Sequence, residues 1–140
     1  MKLQPKRVKY RKVHLGRIRG KASRGIRLSF GDYGLAAQEG GWLTARQLEA
    51  ARIAIVRSIG DEGRLWVRVF PDKSVTKKPL ETRMGKGKGE PAFWVAVIRP
   101  GRILFEVAGA DKERTMVAFR LASHKLPFKT TLISSNEVPL

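Results

Sequence analysis

The first 31 residues hold eleven cations, Lys2, Lys6, Arg7, Lys9, Arg11, Lys12, Arg17, Arg19, Lys21, Arg24 and Arg27, and not one acid. A like-charged stretch repels itself and buries too little apolar surface to offset its ordering entropy. The core must therefore come from the rest of the chain, where the charges nearly balance. Residues 32–70 carry five cations and five acids, and residues 93–140 carry seven and four. A second cationic excess lies in residues 71–92, where Lys73, Lys77, Lys78, Arg83, Lys86 and Lys88 outnumber Asp72, Glu81 and Glu90. The pattern reads as a single domain over residues 1–140, with a basic arm (1–25), an α/β core (26–140) and a basic loop (71–92) within the core. The arm should order against phosphates, where released counterions supply free energy and glycines let the backbone approach closely.

Composition narrows the function. A chain of 140 residues with 42% hydrophobic content supports one modest core, and a net charge of +17 points to a polyanionic partner. The absence of cysteine removes disulfides, thiolate metal sites and cysteine nucleophiles together. The apolar run at Phe93–Ile98 is far below the roughly 20 residues of a membrane span. The basic start has no apolar segment behind it, unlike a secretory signal, and Pro5, Gly16, Gly20 and Gly25 interrupt the amphipathic helix of a transit peptide.

Local patterns predict the elements. Thr44 and Gln47 form a capping box, with Leu43 and Leu48 as its hydrophobic staple. A helix from Thr44 should bury Leu48, Ala51, Ile55 and Ile59, turn Arg46, Arg52 and Arg57 outward, and stop at Gly60. Residues 64–70 alternate as a strand with Leu65, Val67 and Val69 on one face, and Ile26, Leu28 and Phe30 alternate as a shorter one. Phe93–Arg99 and Arg102–Val107 suggest a hairpin turned at Pro100-Gly101. Asp111 should cap a second helix with Met116, Phe119, Ala122 and Leu126 as its stripe, ended by Pro127, before a last strand over residues 128–134. The layout is α+β: two helices on a mostly antiparallel sheet, a two-layer sandwich.

Residues 71–91 exceed the about 12–15 residues beyond which structureless connections are usually functional or disordered. At their centre, Arg83-Met84-Gly85-Lys86-Gly87-Lys88-Gly89 makes a narrow ribbon of glycine and lysine suited to threading between sugar-phosphate backbones. Both the phosphate-loop and the dinucleotide patterns, counted from Gly85, need a glycine where Glu90 stands, and Pro91 comes next in place of a helix. The bland reading of the segment is a solvated charged loop, and that of the arm a solvated tail. Tyr10 and Phe30 stand either as base-stacking residues or as core cover. Trp42, Trp66 and Trp94 read as core or edge residues, although Trp66 shares a strand face with Arg68 and Phe70 and could face RNA. His14 and His124 have no ligand-spaced partners, and the only adjacent acids are Asp61-Glu62, so no metal site, cofactor or catalytic constellation is expected. The chain is expected to bind structured RNA without covalent chemistry.

Taken together, Leu3-Gln4-Pro5-Lys6-Arg7, Tyr10-Arg11-Lys12, Phe30-Gly31, Leu43-Thr44-Ala45-Arg46-Gln47, Glu49-Ala50-Ala51-Arg52, Arg68-Val69-Phe70-Pro71-Asp72-Lys73, Lys78-Pro79-Leu80, residues 83–89 and Lys125-Leu126-Pro127 closely resemble the bacterial form of large-subunit ribosomal protein sixteen. Archaeal and eukaryotic relatives of that universal family are called protein ten. Ser74 stands where the family often has proline, and Glu90-Pro91 departs from it after the glycine run. The resemblance implies an α/β sandwich docked on large-subunit ribosomal RNA near the aminoacyl-tRNA site and the peptidyl-transferase centre. It puts Lys6, Arg7, Lys9, Arg11 and Lys12 on ribosomal RNA, and Arg83, Met84, Lys86 and Lys88 towards tRNA. We extend the ribosomal RNA-binding set to Arg17, Arg19, Lys21, Arg24, Arg46, Lys73, Lys77 and Lys78. Neighbouring large-subunit proteins are expected partners, a homo-oligomer is not, and the location is the ribosome of the cytoplasm or of an organelle. The competing classes are a free-standing RNA-binding module, which would act without the ribosomal particle, and a phosphate-handling enzyme, against which the missing glycine counts.

Overall fold

The computed structural model describes residues 20–22, 25–76 and 91–135. Its elements run β1 (Tyr33–Ala37), β2 (Gly41–Thr44), α1 (Ala45–Ile59), β3 (Arg64–Val67), β4 (Lys73–Thr76), β5 (Pro91–Ile98), β6 (Ile103–Ala108), α2 (Lys112–Ser123) and β7 (Thr130–Ser134). The α+β class and the antiparallel pairing match expectation, but the strands divide between two sheets. One has the order β3-β6-β1-β7 and the other β2-β5-β4.

α1 forms where its capping box predicts. Thr44 Oγ1 accepts from the Gln47 amide at 3.1 Å, and Gln47 Oε1 accepts from the Thr44 amide at 3.0 Å. Leu43 and Leu48 are fully buried beside the cap, the predicted stripe Leu48, Ala51, Ile55 and Ile59 faces the core, and Gly60 ends the helix at φ 72°. α2 is capped by Asp111, whose carboxylate accepts from the Arg114 amide at 2.7 Å. Its stripe differs from the predicted one: Met116 is exposed, and Thr115, Ala118, Phe119 and Ala122 are buried. Thr115 tolerates burial because its hydroxyl donates to the Asp111 carbonyl at 2.8 Å, leaving no polar group unsatisfied. The helix ends at Ser123, so Leu126 contributes to the core from the loop beyond it.

Further corrections concern strands. β5 and β6 are not a hairpin, because β5 pairs with β2 and β4 whereas β6 pairs with β1 and β3. Pro100 and Gly101 do turn the chain, with the Arg102 amide donating to Arg99 O at 3.1 Å and Gly101 at φ 95°. Proline before a positive-φ glycine makes a type II turn, which splays its strands where a two-residue hairpin needs a primed turn. The hairpin of this region is instead β4–β5, so residues 73–76, expected within a loop, are a strand. Its register shifts between Val75 and Thr76, opposite Pro91, where the ladder meets a residue with no amide hydrogen. β1 and β2 were also unforeseen. The last strand starts at Thr130, two residues later than expected.

The core gathers Leu35, Leu43, Leu48, Ile55, Ile98, Phe105, Val107 and Phe119, among others, from both sheets and both helices. The two helices pack against each other, α1 also touching β2, β3 and β5, and α2 touching β1 and β7. No helix among the described residues is long and apolar enough to cross a membrane.

Candidate nucleic-acid interface

Antiparallel neighbours on one face of a sheet form rows across it. In the four-stranded sheet Trp66, Glu106, Gly34 and Ile133 lie in register. They occupy the face opposite the row Leu65, Val107 and Tyr33, which packs on the core. A carboxylate in the middle of the apolar strand Ile103-Leu104-Phe105-Glu106-Val107-Ala108 demands partners, because burying an unpaired charge is costly. Glu106 is completely buried and has them.

The partners come from the root of the arm. Oε1 of Glu106 accepts the amides of Ser29 at 2.8 Å, Phe30 at 3.0 Å and Gly31 at 3.0 Å, while Oε2 pairs with the Arg68 guanidinium. Burial pushes this carboxyl up, but the hydrogen bonds from the Gly31 and Phe30 amides, the Arg68 side chain and the Ser29 amide outweigh it, holding it below the usual carboxylate range. Residues 26–30 therefore do not form the predicted strand. Three successive amides converge on one carboxylate oxygen and cannot join a ladder, and Leu28 instead lies against Gly34, where a Cβ would come within 2.5 Å of its Cδ2. Gly31 is pressed against backbone, which cannot swing away, since a Cβ there would meet the Val107 carbonyl oxygen at 2.7 Å.

The root continues along the start of β6. The Ile103 amide donates to Gly25 O at 2.7 Å, and the Ala22 amide to Pro100 O at 2.9 Å. Gly25 leaves the space occupied by Arg102, whose guanidinium would lie 2.7 Å from a Cβ. Arg102 Nη2 donates to Arg68 O at 2.9 Å, and its buried Nε finds no partner among the described residues. Burial, and then the neighbouring Arg68 charge, lowers the Arg102 pKa. Phe30 remains at the surface, 59% exposed, with its ring 5.9 Å from that of Trp66 at an interplanar angle of 20° and Arg68 at 5.5 Å from its centroid.

Among the residues assigned from sequence, Lys21 is exposed on the root, Arg46 is exposed on the first turn of α1, and Lys73 of β4 lies over the Trp42 ring at 5.1 Å. These three sit on different elements. Lys6, Arg7, Lys9, Arg11, Lys12, Arg17, Arg19, Arg24, Lys77, Lys78, Arg83, Met84, Lys86 and Lys88 lie outside the described residues. Residues 77–90 lie in the chain between β4 and β5, which pair in the three-stranded sheet, whereas the described arm root packs on the four-stranded one. Sequence reasoning missed Glu106, Arg68 and Arg102 as a unit. The available signal was the single acid in the apolar run of β6.

A near-neutral α+β core that commits a buried carboxylate to seating the root of an acid-free cationic arm has the build of a protein that docks on a polyanion. Among the described residues no group of three or more histidines, cysteines or acids is placed to hold a metal. The family model for Ribosomal protein L16p/L10e matches residues 5–133, and the chain belongs to that family. Membership makes it a structural constituent of the large ribosomal subunit that binds ribosomal RNA and serves translation.

Proposed function

We propose that the chain sits near the aminoacyl-tRNA site and the peptidyl-transferase centre, neutralising converging RNA backbones while the RNA supplies the chemistry. In this reading Lys6, Arg7, Lys9, Arg11, Lys12, Arg17, Arg19, Lys21, Arg24, Arg46, Lys73, Lys77 and Lys78 meet ribosomal RNA, and Arg83, Met84, Lys86 and Lys88 meet tRNA. The observation that carries it is the attachment of the two basic segments to separate sheets, the arm root on β6 and the glycine-lysine segment between β4 and β5. Two cationic elements with independent supports can engage two different RNAs. One can be altered without unseating the other.

The test is Lys86→Ala with Lys88→Ala. Large subunits carrying the variant should sediment normally in a sucrose gradient yet hold aminoacyl-tRNA more weakly. Failed assembly with intact tRNA binding in whatever particles form would overturn the assignment.

A further inference from the structure

The exposed ring of Phe30 is not a loose side chain. Its backbone is fixed by three consecutive amides on Glu106, Gly31 behind it is wedged against the Val107 carbonyl, and the ring lies on Trp66 with Arg68 beside it. Arg68 is itself held by Glu106, its side chain only 18% exposed. One buried carboxylate thus fixes the Phe30 backbone and the Arg68 guanidinium beside a near-parallel pair of aromatic rings.

The surroundings say what such a surface is for. Arg27 of the arm root and Arg64, on the same strand face as Trp66, are both exposed, and Arg68 and Arg102 together outnumber Glu106. A flat apolar step with an excess of cations on the neighbouring elements is complementary to a flat π-faced group tethered to a negatively charged backbone. Paired bases in an RNA helix have no free face, so the fitting group is an unpaired one.

We propose that Phe30, Trp66 and Arg68 form a platform on which one unpaired nucleobase of large-subunit ribosomal RNA stacks. The proposal rests on ribosomal RNA docking and not on the tRNA-facing role of residues 83–88, so either can fail alone. Phe30 is the contact residue, Trp66 and Arg68 complete the step, and Glu106 positions Phe30 and Arg68.

The test uses assembled large subunits containing the wild-type chain, Phe30→Leu or Phe30→Trp, with occupancy of the protein measured by mass spectrometry and ribosomal RNA probed by 2′-hydroxyl acylation. Phe30→Leu keeps the apolar bulk and removes the π-face. At equal occupancy, a small group of adjacent nucleotides should become reactive, reflecting about a tenfold fall in the docked-to-free ratio on loss of one stack. Phe30→Trp should restore protection. An unchanged reactivity profile in Phe30→Leu would overturn the platform. So would a benzoyl-phenylalanine crosslink from position 30 to a neighbouring protein and none to RNA, which would make the ring a protein contact.

Discussion

The arm root and the β4–β5 hairpin both support basic segments, but they are held by different physics. The root rests on side-chain electrostatics, with three amides and one guanidinium gathered on the Glu106 carboxylate. The hairpin rests on a backbone ladder, Lys73 to Val95, Ser74 to Trp94 and Val75 to Phe93, over buried Ser74, Val75 and Trp94. The first support is concentrated on one titratable carboxylate, with the backbone bonds at Ala22 and Gly25 beside it. The second is spread over many weak contacts, so no single change should release it.

The largest effect that would break this contrast is expected from Glu106→Ala. Removing one partner of a buried pair leaves the other uncompensated, which costs roughly 3–5 kcal/mol. Denaturant unfolding should show the loss, and limited proteolysis should open residues 20–31 before the β4–β5 hairpin. Equal lability of both segments would remove the distinction.

Next in size is Gly31→Ala, whose Cβ meets backbone and not a yielding side chain. It should cost about 1–3 kcal/mol and loosen the root alone, as read by amide exchange at Ser29 and Phe30.

The pH dependence arises from Glu106. Its carboxyl is lowered in the folded state, so the stabilisation is fully present above the unfolded value of about 4.3 and is lost as pH falls through the lowered value. Amide protection of residues 29–31 should persist at pH 6 and disappear under stronger acid, while β4–β5 protection tracks global unfolding. In Glu106→Gln the acid step confined to the root should vanish.

A smaller effect sharpens the comparison from outside both regions. Thr44→Ala should lower global stability by about 1 kcal/mol through its lost cap, leaving the order in which root and hairpin open unchanged. Least of all, Lys86→Ala with Lys88→Ala should change unfolding free energy by no more than about 0.5 kcal/mol, consistent with charges that serve binding.

Features set by near neighbours in the chain were legible in the sequence. The Thr44–Gln47 box, the Leu48 to Ile59 stripe, the Gly60 stop and the Asp111 cap are satisfied within a turn or two of helix. Met116 failed because Thr115 can bury its hydroxyl inside the helix, so Thr115 and Ala118 face the core with the predicted Phe119 and Ala122. The candidate site was legible as charge and only partly as geometry. Phe30, Trp66 and Arg68 could each be singled out, but nothing local joined Phe30 to a strand 36 residues away or either of them to Glu106.

By itself the sequence determined the separation of charge, the two capped helices and, through the family resemblance, the place of the chain in the large ribosomal subunit. Tertiary structure decided which strands are neighbours. Alternation states that a strand has two faces, but pairing partners depend on how distant segments close over one core. The type II turn at Pro100-Gly101 therefore sends β5 and β6 into different sheets. It also decided that residues 26–31 cover a sheet and do not extend it, because a buried carboxylate must be satisfied and the nearest free amides were those of the arm.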